Sequence, residues 1–177
     1  YQNAIKDLNE NLQSGIALGS FVIKPLGGHE VEYITANNFI PINFNSDGRL
    51  TDVVFIERKM ITNEKYYIRF ERHKLIKESK TLVITNQAYF SSDGTTIGRK
   101  IELTDVEEWA TLPDEIMYQG VERPDFGYYR NPIKNDIDGS FCGVSVFDSA
   151  IDQIKKADTQ FSRLDWEFES GERIIHV

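Results

Sequence analysis

The sequence predicts an α+β domain. An antiparallel β meander or small barrel is expected over about residues 16–103, with an N-terminal helix before it and a long C-terminal amphipathic helix over about residues 145–170. Three observations predict this. Strand-like runs follow one another at 50–59, 66–75 and 81–90, joined by the short polar links 62–65 and 77–80 that hairpins require. Asn45-Ser-Asp-Gly48 and Ser91-Ser-Asp-Gly94 bracket those runs with turn signals. Phe147, Ala150, Ile154, Ala157, Phe161, Leu164 and Phe168 recur at alternating spacings of three and four, the period of a helix with one apolar seam.

Each element has its own justification. Ala4, Ile5, Leu8 and Leu12 have helical spacing over residues 2–14, and Gly15 is the expected stop. Residues 15–25 read as a strand, with Gly19 a bulge or close-packing point and Pro25 its end. Gly27 and Gly28 mark a turn, and Val31, Tyr33 and Ile34 a short second strand. Residues 39–44 contain Pro41, which has no N–H for a ladder, so the run belongs at a sheet edge or in a loop. Residues 53–56 are apolar on both faces, which suits a central strand. In the next run Tyr66, Ile68 and Phe70 share one face, and Tyr67, Arg69, Glu71 and His73 the other. Thr104 and Glu107 fit a capping box opening a short helix through Trp109. Residues 112–139 read as irregular around Pro113, Pro124 and Pro132, with one strand at 126–130. Ser145 with Asp148 fits a capping box for the long helix, and Gly171 its stop. At about 1.5 Å per residue that helix would be on the order of 36 Å long, more than a small core needs. A last strand is expected at 173–177.

The chain reads as a single domain over 1–177, because 177 residues suffice for one real core and no linker or repeat divides them. A start at Tyr1 and an end on the apolar run 174–177 are what a piece of a longer polypeptide would show. A net charge of −8 argues against wrapping nucleic acid, which needs a basic footprint. Cys142 is the one cysteine, so no intrachain disulfide or thiolate zinc cluster can form. No run of 18 apolar residues exists to span a membrane, and no membrane partner is expected.

The residues that could carry chemistry are few. Glu71 and His73 on one strand face could form a general acid–base pair, although such a face is ordinarily solvated, and that is the preferred reading. His29 and His176 are scattered, which gives a histidine metal site little support. The stretch 135–139 looks like half a calcium loop, but Lys134 and Ser145 occupy positions that need oxygen ligands, so an Asx-rich turn is preferred. Glu167 and Glu169 point roughly 200° apart on a helix and cannot flank one bond. Cys142 has no histidine near it in sequence and reads as a small buried thiol. No catalytic residue, cofactor or metal is therefore assigned. Trp166 lies roughly 150° from the centre of the long helix's seam, at about 100° per residue. A tryptophan there is either covered by another segment or used in a subunit interface.

The order of motifs carries a resemblance. Gly15-Ile-Ala-Leu-Gly-Ser-Phe-Val-Ile-Lys-Pro25 is followed by Phe39-Ile-Pro-Ile42 and the Asp47-Gly48 turn. Tyr66-Tyr-Ile-Arg-Phe-Glu-Arg-His73 and Ile84-Thr-Asn-Gln-Ala88 come next. After Trp109 come Phe126-Gly-Tyr-Tyr-Arg-Asn-Pro-Ile-Lys-Asn-Asp-Ile-Asp138, Gly143-Val-Ser145 and the Asp/Lys-rich helix. Together these resemble the portal proteins of tailed bacteriophages of Gram-positive hosts, over nearly the whole chain. The resemblance implies a structural virion protein and no enzyme. Such proteins self-associate in a ring, usually a dodecamer, at one capsid vertex, where they meet capsid, terminase and head-completion proteins. DNA passes only through the channel of the full ring. The part represented would be the wing region, made in the host bacterial cytoplasm and located in the virion. The alternative is a small hydrolase or carbohydrate-binding β domain using the Glu71/His73 strand face.

Overall fold

The computed structural model describes residues 8–174 apart from 29, 63 and 64. The expectations for residues 2–7, His29 and residues 175–177 lie outside the described residues. The first helix, α1 (Leu8–Leu18), runs through Gly15 instead of stopping there. Gly15 is buried against the Phe21 ring, which leaves no room for a side chain, so this glycine serves close packing. Gly19 ends the helix in the left-handed region at φ +99°, its N–H bonded to the Gly15 carbonyl at 2.7 Å. The strand expected at 15–25 therefore starts only at Ser20. Apolar Ile16 and Leu18 fit either period, and the packing of Phe21 decides between them.

Strand β1 (Ser20–Gly27) is the middle of a three-stranded antiparallel sheet, between β2 (Glu30–Thr35) and β9 (Gly127–Arg130). Phe21 faces Thr35 on one side and Tyr129 on the other, stacking on the Tyr129 ring at 4.7 Å. The meander forms the second sheet, in the order β3 (Phe39–Phe44), β4 (Leu50–Thr62), β5 (Lys65–Ile76), β6 (Thr81–Ser91) and β7 (Lys100–Ile101). Its barrel alternative does not form, because β3 and β7 lie at opposite edges and β1 belongs to another sheet. Pro41 sits on the β3 edge, as its missing N–H requires. A further strand, β8 (Glu115–Gln119), pairs with the other end of β6, inside the stretch expected to be irregular.

The two sheets pack through Val22 and Ile34 of the first against Phe39, Leu50, Val53 and Phe55 of the second. A second cluster joins Ala88 and Ile101 to Leu103, Val106 and Trp109. There the expected short helix is instead two 3₁₀ turns, Leu103–Asp105 and Glu107–Trp109. The expected box of Thr104 with Glu107 gives way to Glu102, whose N–H donates to Asp105 Oδ2 at 3.2 Å.

One buried amide ties three segments together. Asn131 Nδ2 donates to the carbonyls of Ile16 (2.9 Å) and Val144 (2.8 Å), while its backbone N–H donates to Gly19. Gly143 lies directly against Gly19, and a Cβ on either would strike the other's backbone. The end of α1, the exit of β9 and the approach to the last helix thus meet at one point.

The last helix, α2 (Ile151–Ile174), starts after a 3₁₀ turn at Asp148–Ala150 and continues through Gly171. Ser145 Oγ accepts the Phe147 N–H in the preceding turn and does not cap the helix. Residues 173 and 174 are helical, not a strand. The seam is not buried. Phe161 and Phe168 are each 67% exposed, and Trp166 on the far side is 68% exposed. The 3.6-residue period reports that a helix has two different faces, and nothing about which of them is covered.

Replacing Phe161 with alanine is accordingly expected to change the chain's unfolding free energy by less than about 0.5 kcal/mol. Phe21→Ala, in the core, should cost about 3–5 kcal/mol. Asn131→Ala, which leaves the buried Val144 carbonyl without its donor, should cost about 1–3 kcal/mol. Urea denaturation of the three variants measures all of these.

Candidate functional site

The inner face of β5 does not meet solvent. Strand alternation places Arg69, Glu71 and His73 side by side facing the first sheet, and β1 and β2 bring Lys24 and Glu32 over them. The expected solvated face is thus a buried charge network. His73 is 3% exposed and the Glu71 side chain 14%. The partners that cover them lie far away in sequence, at Lys24 and Asp125.

Glu71 is the hub. Its Oε1 meets His73 Nε2 at 2.6 Å, and its Oε2 meets Lys24 Nζ at 3.2 Å and Arg69 Nη1 at 2.9 Å. Arg69 also donates twice to Glu57 Oε2, at 3.0 and 2.7 Å, and once to Asn86 Oδ1 at 2.8 Å. Asn86 passes the connection on, its Nδ2 donating to the Pro113 carbonyl. The other ring nitrogen of His73, Nδ1, lies 2.9 Å from Asp125 Oδ1 in the loop before β9. Lys24 Nζ sits 5.1 Å from the centre of the Phe55 ring, and Lys59 and Arg69 lie over Trp109 at 5.8 and 5.9 Å. Burial would raise the Glu57 carboxyl, but the hydrogen bond and charge of Arg69 hold it below its ordinary value, and the buried Trp109 indole N–H has no hydrogen-bond partner among the described residues.

Burial alone would push the Glu71 carboxyl up. The hydrogen bond from His73 and the charges of Lys24 and Arg69 outweigh burial and hold it down at about 2. Burial would likewise lower His73, but its bonds to Asp125 and Glu71 raise it above the ordinary 6.5. His73 is therefore held as the imidazolium between two carboxylates, each ring nitrogen donating.

A cavity of about 300 Å³ opens beside the network, lined in part by Lys24, Glu32, Arg58, Arg69, Glu57 and Glu71. Three cations and three carboxylates balance, so its wall selects neither anions nor cations. Both Glu71 oxygens and both His73 nitrogens are already engaged. An acid–base reaction at this pair would first have to break the network. A solvated strand face would have left those groups free, and the sequence carried no signal for Lys24 or Asp125 as their partners.

The other sequence candidates fall elsewhere. Asn135 closes the 135–139 loop as an Asx turn, its Oδ1 accepting from Ile137 N–H and its Nδ2 donating to Asp138 Oδ1. Among the described residues no group of three His, Cys, Asp or Glu side chains could hold a metal ion. Cys142 is half-buried rather than buried, with a free thiol. Trp166 lies exposed on α2 and is not among the partners of the network. Among the described residues no helix is long and apolar enough to cross a membrane. Comparison with protein-family models and with curated proteins finds no match to this chain.

The network makes stability depend on pH in two directions. The contribution of Glu71 is full above its ordinary value of 4.5 and is lost as pH falls toward 2. That of His73 is full below 6.5 and is lost as pH rises through its raised value. Stability is expected to be greatest between about pH 4.5 and 6.5, and His73→Gln should flatten the alkaline limb in denaturation measured across pH. Glu71→Gln, which leaves Lys24 and Arg69 short of charge, should cost about 3 kcal/mol at pH 6.

Proposed function

We propose that the chain is part of the ring-shaped portal of a tailed bacteriophage, from its wing region, and acts as a structural protein. One observation carries this beyond the resemblance in motif order. Helix α2 leaves the β body with its seam and Trp166 both exposed. Large apolar groups on two sides of one helix ask for cover from another chain. Assembly into a ring supplies that cover.

On this reading the β body is a rigid block. The neutralised network between its sheets, with its engaged acid–base groups, serves to fix the packing of the two sheets. Capsid, terminase and head-completion proteins are met by the full-length ring, and DNA by its channel. The acidic charge of −8 suits a region that lies outside the channel. The location is the portal vertex of the virion, after synthesis in the bacterial cytoplasm.

Electron microscopy and light scattering of the full-length protein test this. Closed rings of about a dozen subunits are expected, and a stable full-length monomer would overturn the reading. Trp166→Ala should leave the melting temperature of the 177-residue chain unchanged while reducing the yield of rings.

A further inference from the structure

Helix α2 sorts its charges as well as its apolar groups. Ile154, Phe161, Leu164 and Phe168 form the exposed seam. At about 100° per residue, Asp158, Asp165 and Glu169 flank it on one side and Gln153, Gln160 and Glu167 on the other. Lys155, Lys156 and Arg163 all fall on the back of the helix. The seam is thus an apolar stripe with one acidic border, one largely neutral border and no basic one. Two such stripes facing each other antiparallel would set Asp158 against Asp165, so the helix is poorly suited to pair with its own copy.

The outer face of the meander has the opposite character. A groove of about 420 Å³ runs across it, lined in part by Ile40, Val54, Phe70, Tyr89, Ile97 and Arg72. Ile40 and Ile97 are about half exposed. Strand register puts Arg58, Arg72, Lys74 and Lys100 on this same face. Its carboxylates are Asp52, bound to Arg72 at 2.6 Å, and Glu115. Arg58 donates to the Gly94 carbonyl and to Asn38 Oδ1, and it also reaches the inner cavity. Setting aside Arg58, which lines the inner cavity, Arg72, Lys74 and Lys100 against Asp52 and Glu115 leave this face with a small positive excess, carried by Lys74 and Lys100, on a chain whose net charge is −8.

We infer that the α2 seam of one copy docks in the outer groove of the meander of a second copy. The acidic border of the helix meets Lys74 and Lys100 beside the groove, and the apolar stripe meets the apolar floor. The two surfaces differ, so the contact is heterologous. Each copy keeps one free helix and one free groove, and association continues until a ring closes or a filament grows. The inference rests on the proposed function only for closure of the ring.

Complementation tests it on the 177-residue chain. One variant carries Phe161→Asp with Leu164→Asp, the other Ile40→Asp with Ile97→Asp. Lys74→Glu with Lys100→Glu is a third that leaves the groove's apolar floor intact. Circular dichroism melts establish that each is folded. In sedimentation the unaltered chain should grow past a dimer with rising concentration, and less so at high salt. Each variant alone should stay monomeric. An equimolar mixture of the seam variant with either groove variant should form a one-to-one dimer and stop there, since one intact helix and one intact groove remain. A mixture that stays monomeric, a groove variant that assembles normally, or an unaltered chain that remains monomeric at every concentration would overturn the inference. In the full-length protein, rings that survive the seam substitutions would overturn this interface and leave the portal reading standing. Open chains without closed rings would do the reverse.

Discussion

A carboxylate buried between two sheets has to bring its own positive charge, and Glu71 brings three. Lys24 reaches it from the first sheet, and Arg69 and His73 lie beside it on the second. Removing any one leaves the others with charge they cannot give back to water, which is why buried pairs are costly to break even where their net worth is small. The relative placement of the sheets depends on this neutrality. Lys24 can sit over β5 only if β1 crosses there. Asp125 can reach His73 only if the chain enters β9 beside that crossing.

The remainder of the inner face follows from the same division. Val53, Phe55, Val22 and Ile34 fill one half with apolar volume. The network fills the other half with paired charge. Trp109 covers the network's far end, its ring close to Arg69 and Lys59. Phe55 meets both halves, packing in the apolar cluster while its ring lies near Lys24 and edge-on to His73. A face that is half ion network accepts one sliding position against its partner sheet, because charge pairs tolerate displacement less well than methyl groups do.

The strands of the meander, the Pro41 edge and the strand before Arg130 were legible because local alternation and turn residues determine them. Two errors about burial have a common cause. Arg69-Phe-Glu-Arg-His73 alternates as a surface strand does, and the residues that bury it lie dozens of positions away. The seam of α2 alternates as a core helix does, and among the described residues it stays exposed. Amphipathicity states that two faces differ. Which face is covered depends on contacts that local periodicity does not encode. Helix α1 runs past its expected stop, and β8 forms in a stretch expected to be irregular, for a related reason, since Gly15 and the short run at β8 take their conformation from Phe21 and β6 and not from their own neighbours in sequence.

These two inversions bear on what α2 is for. A helix in a folded protein draws most of its stability from the face it packs, and an unpacked one relies on propensity alone. Helix α2 contains Thr159, Ser162, Ser170 and Gly171, none of them a strong helix former. Covering a large apolar side chain is worth about 1.5–3 kcal/mol, and the seam offers several. The free energy that would hold this helix firmly is therefore available only on contact with a second surface. A surface able to take the seam would thus order the helix as it binds it. The outer groove on the meander has the chemistry to do so and lies on every copy of the chain. On the docking inferred above, an acidic border on the helix would select that groove over a second seam and direct association from helix to sheet, one copy to the next.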